Sequence, residues 1–196
     1  KKAIIKWVKP LSKSWDLGIP GEIQRKNAAV AKGIIEELKT IGFQVNKNQI
    51  ISGLRNTNWP GRLQQTSWRN MPILLDGAHN LHAAKELAKE RLLWGNNYKG
   101  VKWILGIQSN KQGPEMVKSL LKVNDDAWII PVPNHQSWTA MEISRSCPNL
   151  SHQIHHASKI EEVLDGFLYQ GEWPDPCPII AGSLFLFEGF ISKKLI

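Results

Sequence analysis

The segment Asp76-Gly77-Ala78-His79 separates a carboxylate from an imidazole by two small residues. An apolar stretch, Ile73-Leu74-Leu75, precedes it and a helix-forming stretch follows. The group therefore stands at the carboxyl end of a strand, where both side chains can face one ligand. Asp76 has acceptors for ribose hydroxyls. His79 can donate to, or exchange a proton with, a phosphate or an amine. The plainer alternatives are that Asp76 bonds a loop backbone and that Asn80 caps the helix carrying Leu81, Ala84, Leu87 and Ala88.

Other positions carry similar choices. Ser183, in Ala181-Gly182-Ser183-Leu184, either caps a helix or opens a helix start that receives a carboxylate on free N–H groups. Arg62, after Trp59-Pro60-Gly61, is a guanidinium that could clamp a phosphate and counter charge in phosphoryl transfer, or a surface arginine in a turn. Asn27, in Gly21-Glu22-Ile23-Gln24-Arg25-Lys26-Asn27, could read an adenine edge or cap a helix. His135, after a strand end, is a weaker candidate. His152, His155 and His156 fall in one predicted strand, where alternation sends neighbours to opposite faces, so they read as strand residues and not zinc ligands. The chain has no Gly-Lys dipeptide and hence no Walker A loop. It has no G-x-G-x-x-G either.

These residues need elements to hold them. From Ile73 onward, strands are predicted at 73–76, 101–107, 127–132, 152–157 and 178–182, alternating with helices at 80–94, 113–123, 137–146, 158–169 and 183–194. The strands are short continuous apolar runs, as in strands covered on both faces. The alternation predicts an open, mostly parallel α/β sheet flanked by helices. Before it, Val30, Ala31, Ile34, Ile35 and Leu38 recur at helical spacing in a helix over 21–39, ended by Gly42. A short helix is expected over 48–54, then turn formers from Asn56 to Gly61, and a domain boundary near residue 70.

With 196 residues, 42% hydrophobic and 21% charged, the composition suits a globular protein with a real core. No apolar run approaches the roughly 20 residues that span a bilayer, and the start, Lys1-Lys2-Ala3-Ile4-Ile5, reads as a strand entered mid-fold, not a signal peptide. The lack of an initiating Met agrees with a fragment. Cys147 and Cys177 form no disulfide framework or metal spacing, and a reducing, cytoplasmic compartment is the plain expectation. The net charge of +8 is spread along the chain, which suits a polyanionic small molecule or a solvated basic surface better than nucleic acid. The nine tryptophans read as packing residues.

Taken in order, Leu17–Ala31, Asn58–Gln64, Pro72–Leu87, Val101–Lys111 and Pro178–Gly189 resemble the Mur-ligase superfamily, most closely its folylpolyglutamate synthase/dihydrofolate synthase branch. The resemblance implies that residues 1–70 are the end of a central ATPase domain and 71–196 a Rossmann-like C-terminal domain. It implies ATP-driven activation of a folate or dihydropteroate carboxylate to an acyl phosphate, then attack by the amine of L-glutamate. It assigns Asn27 to adenine, Arg62 to the ATP phosphates, Asp76 to the ribose or adenine region, and His79 and Ser183 to glutamate and the reacting carboxyl. The phosphate loop and Mg2+ ligands would lie upstream of Lys1, so this chain alone is expected to be inactive. A full-length monomer without nucleic-acid or membrane partners is implied. The sequence departs from the family at Ile23, where His is common, at Asn110-Lys111-Gln112, where Asp-Lys-Asp is frequent, and near Trp138, where an arginine is replaced. The competing expectations are a nucleotide- or anion-binding module without catalysis, and a fragment of a peptidoglycan-precursor ligase.

Overall fold

The computed structural model describes residues 5–91 and 100–188. The chain forms two compact units that meet at Pro60 and Gly61.

The first unit carries α1 (Glu22–Thr40) and α2 (Lys47–Asn56), close to the two expected helices. Asn46 starts α2 with a capping box, accepting from the Gln49 N–H at 2.9 Å while the Gln49 side chain accepts from the Asn46 N–H at 2.8 Å. The Arg25 guanidinium donates to the carbonyls of Ser12 and Trp15, fastening the preceding loop to α1. Among the described residues of this unit only Ala29 and Ile50 are buried, and Val30 and Ile34 of the α1 stripe stay exposed. Within this unit, the stripe that helical spacing assigns to a core is left largely uncovered.

The second unit is built on a six-stranded sheet in the order β1-β2-β6-β3-β4-β5. The strands are β1 (Gln64–Trp68), β2 (Met71–Asp76), β3 (Lys102–Leu105), β4 (Asp126–Ile129), β5 (Ile154–His156) and β6 (Ile179–Ala181). All neighbours are parallel except β1 and β2. The last strand slots between β2 and β3.

Alternation along the strands fills two cores. Leu74, Trp103, Leu105, Ile179 and Ala181 pack on one face with residues of α3 (Leu81–Arg91), α4 (Gly113–Leu120) and α5 (Ala140–Ser146). Ile73, Leu75, Ile104 and Ile180 pack on the other with α6 (Ile160–Tyr169). Covering on both faces is what the continuous apolar runs predicted.

The structure differs from expectation at three places. The compact units divide at Pro60 and Gly61, ahead of the boundary expected near residue 70, and residues 64–68 pair in register with β2. No strand is predicted over these residues from the sequence. The Gln-Gln-Thr-Ser-Trp sequence of β1 is polar, as an edge strand can be. The hairpin turns at Arg69 and Asn70, both with positive φ (48° and 67°), the type I′ pattern that suits a two-residue loop. Finally, the helix expected over 183–194 begins as a 3-10 turn at Leu184–Phe187, and its later residues lie outside those described. Part of the helix expected over 80–94 lies outside them too. No helix among the described residues is long and apolar enough to cross a membrane.

Candidate functional site

Parallel strands present their carboxyl ends to one edge of the sheet. There Asp76 and Leu105 are both register partners of Ala181, so Gly77, Gly182 and Gly106 follow side by side. Two of these glycines make room for the turn after β6. A side chain at Gly77 would collide with Leu184, and one at Gly106 would come within 2.7 Å of Leu186. The 3-10 turn thus lies directly on backbone at the ends of β2 and β3.

Asp76 holds this edge together. One carboxylate oxygen accepts the Leu63 N–H at 3.0 Å and the other the Ala78 N–H at 2.9 Å. Gly77 N–H donates to the Gly61 carbonyl at 2.6 Å, and Gly61 N–H to the Gln64 side chain at 2.8 Å. The Gly61–Leu63 loop is pinned on both sides of Arg62. Asp76 is only 8% exposed, so the loop-bonding alternative is the arrangement found. Burial raises its pKa, opposed by the two N–H bonds and the Arg62 charge and aided by Glu90.

Asp76→Asn is expected to destabilise the second unit by about 1–3 kcal/mol, because one of the two buried N–H groups then meets an NH2 group. The raised native pKa adds a pH signature. The folded chain holds the Asp76 proton more tightly than the unfolded chain, so this contribution is present below the unfolded value and lost as pH rises through the folded one. The gap between wild type and variant should be widest in acid and narrow as pH climbs through the carboxylate range. Denaturant melts across that range check both points.

Arg62 itself is half-buried, and its guanidinium makes no hydrogen bond or ion pair among the described residues of the second unit. His79 is also half-buried, with Nδ1 2.9 Å from the Gly77 carbonyl. A carbonyl can only accept, so Nδ1 carries the hydrogen, and in the neutral ring Nε2 holds the lone pair. Asn80 caps α3, accepting the Ala83 N–H at 2.9 Å. Ser183 is 2% exposed and accepts the Phe185 N–H at 3.4 Å, so its hydroxyl sits beneath the turn it caps.

Asn27 lies in the first unit and is exposed. It is not a cap: α1 starts after Gly21, and the Asn27 amide, inside the helix, donates to Gln24 at 3.0 Å. His155 faces Asp126 at 2.9 Å and packs tilted against Trp128, at the opposite end of the strands from the site. His152 sits in the 3-10 turn before β5 and not in the strand. Sequence reasoning gave too little weight to His135, whose ring lies tilted against Phe185 with centroids 4.3 Å apart. Its position just past β4 was the available signal.

Residues 60–192 match the family described as dihydrofolate synthetase, C-terminal domain. The chain is 34% identical over 109 residues to a probable dihydrofolate synthetase of Schizosaccharomyces pombe, covering 55% of this chain and 26% of that protein. It is 29% identical to a dihydrofolate synthetase of Saccharomyces cerevisiae, covering 79% of this chain and 35% of that protein. The fold is that of a Mycobacterium tuberculosis folylpolyglutamate synthase solved with ADP and AMPPCP, with a TM-score of 0.72, 18% identity, and coverage of 91% of this chain and 41% of that one. The chain thus spans well under half the length of each.

Proposed function

The chain belongs to the dihydrofolate synthetase C-terminal domain family, and from that membership we propose that it is the C-terminal part of an ATP-dependent ligase. Such a ligase would join L-glutamate to a dihydropteroate or folate carboxylate. The observation that carries this reading is the family match, which spans Arg62, Asp76, His79 and Ser183 together. ATP supplies the phosphoryl group, and the carboxylate becomes an acyl phosphate as ADP leaves. The glutamate amine then attacks the acyl carbon, an amide bond forms, and phosphate departs.

Each residue has a part that its surroundings support. Arg62, on its pinned loop, counters charge on the phosphates. His79 Nε2 accepts a hydrogen bond from the glutamate amine and can take its proton as the amide forms. Asp76 serves the nucleotide side by fixing the Arg62 loop beside the ribose and adenine region. Ser183 acts on glutamate through the turn it caps. Asn27, with an exposed amide, is assigned to adenine.

Among the described residues no group of three or more His, Cys, Asp or Glu side chains could hold a metal ion. The ligands for Mg2+, like the phosphate loop, belong to sequence outside this chain in this proposal. A cytoplasmic monomer is the expected setting.

The full-length protein given dihydropteroate, L-glutamate and ATP is expected to form dihydrofolate and ADP, followed by chromatography. The 196-residue chain alone is expected to form neither, because phosphoryl transfer depends on positioning and charge neutralisation around the triphosphate. Ligation by the isolated chain would overturn the division of labour, and none by the full-length protein would overturn the function.

A further inference from the structure

The loop after β4 is unusually well braced for one that ends in an exposed histidine. The Ser137 hydroxyl accepts the Val132 N–H at 2.8 Å and donates to the His135 carbonyl at 3.1 Å, while the His135 N–H donates to the Val132 carbonyl. The loop after β3 supports it from outside: Ser109 N–H donates to the Gln136 carbonyl and Trp138 Nε1–H to the Lys111 carbonyl, both at 2.9 Å. Asn134 takes a positive φ of 59° to make the turn.

The His135 ring is fixed as well as its backbone. Nδ1 donates to the Pro133 carbonyl at 2.7 Å, and the ring lies on Phe185 at 32° between planes. Nε2 has no partner among the described residues, and Phe185 is 45% exposed. Two separate contacts orient an exposed ring whose remaining nitrogen is unused. Such orientation costs side-chain freedom, and nothing among the described residues employs the nitrogen it presents.

The turn after β6 ties this ring to the site. Leu184 packs at Gly77, between Asp76 and His79, and the next residue, Phe185, carries His135. Adjacent strands lie roughly 4.8 Å apart, so the ends of β2 and β4, three places apart, are separated by about 14 Å. Two imidazoles reaching inward and one extended amino acid can close that gap.

We propose that His135, held on Phe185, contacts the incoming amino acid and reads its side-chain carboxylate. The proposal rests on the ligase reading above and adds a specificity-determining residue to it. With Nδ1 committed to Pro133, the imidazolium form of His135 donates from Nε2 to a carboxylate oxygen. The exposed Phe185 face lies along the methylenes, and His79 meets the amine at the other end. Ser183, buried under the turn, orients Phe185 and leaves the contact to His135.

The test measures L-glutamate and L-glutamine as alternative amino acids in the full-length enzyme, for wild type, His135→Phe and His135→Arg, with thermal melts alongside. Phenylalanine keeps the ring contact with Phe185 and removes both ring nitrogens, so loss of the Pro133 bond alone shows in the melt and leaves the glutamate KM and the preference unchanged. The expected result is a glutamate KM raised roughly tenfold to hundredfold in His135→Phe, the size of one charge-assisted hydrogen bond. The kcat at saturating glutamate should stay near wild type, and the preference for glutamate over glutamine should fall by a similar factor. His135→Arg, a cation that can still stack, should keep most of that preference. Should His135→Phe fail to fold, His135→Gln is expected to show the same rise in KM. Wild-type ligation with an unchanged KM and preference in the variants overturns the role of His135 and spares the ligase reading. Absence of ligation by wild type overturns both, and is seen before any variant is made.

Discussion

Arg62→Ala in the full-length enzyme is expected to lower kcat by roughly three orders of magnitude or more, the scale of a guanidinium that meets charge on a transferring phosphoryl group. The KM for dihydropteroate should stay close to wild type. The loop that carries Arg62 is held by its neighbours and not by its side chain. Gly61 is bonded through both its N–H and its carbonyl, and the Leu63 N–H is bonded to Asp76. Removing the guanidinium therefore leaves the backbone in place, and a melt of the variant should stay near wild type. Such a pattern, a large loss in turnover with little in stability or substrate affinity, marks an interaction made in the transition state. Arg62→Lys should recover only part of the loss, since an ammonium restores charge but not the two-pronged geometry. Steady-state kinetics with each substrate varied would decide it. An unchanged kcat with a raised dihydropteroate KM would place Arg62 on the pterin side and contradict the assignment.

The parallel strands were legible because Trp103–Leu105 and Pro178–Ala181 are uninterrupted apolar runs, and only burial on both faces explains such runs in a strand. Residues 64–68 escaped notice for the converse reason. An edge strand need satisfy only one neighbour, and a polar sequence between two turns carries little period to read. At the site, sequence supplied the residue types and the structure supplied their division of labour. Asp76 read either as a ligand contact or as bonding a loop backbone, and both its oxygens serve N–H groups, one of them on a loop thirteen residues away in sequence. Ser183 read equally as a cap or as an open helix start, and it is a cap buried beneath a turn laid on Gly77 and Gly106. His135 gains its interest from Phe185, a partner fifty residues on. The placement of Ser183 and of Phe185 depends on the register of β6 between β2 and β3, which no local window contains.

The same dependence on distant pairing gives the largest expected effect on stability. Asp125→Ala should destabilise the second unit by about 3–5 kcal/mol, because it strands a buried arginine without its counter-charge. Arg91, at the end of α3, grips Asp125 with both guanidinium nitrogens, Nη1 on Oδ2 and Nη2 on Oδ1, the latter at 2.7 Å. Both residues are buried. The carboxylate also accepts the Val101 N–H at 2.7 Å, the Lys122 N–H at 2.8 Å and the Trp103 indole N–H at 3.3 Å. One side chain thus joins the end of α3, the start of β3, the segment after α4 and the start of β4. All of this lies at the amino ends of the strands, opposite the candidate site, so the substrate KM values should be unchanged below the melting transition. Pairing Asp125→Ala with Arg91→Met should recover part of the loss by removing the stranded charge. It should not recover all of it, because the Val101, Lys122 and Trp103 donors remain buried without their acceptor. Denaturant melts of the single and double variants would measure both steps. A loss below about 1 kcal/mol for Asp125→Ala, the range of exposed ion pairs, would show that water reaches this cluster and that the pair does not act as a buried one.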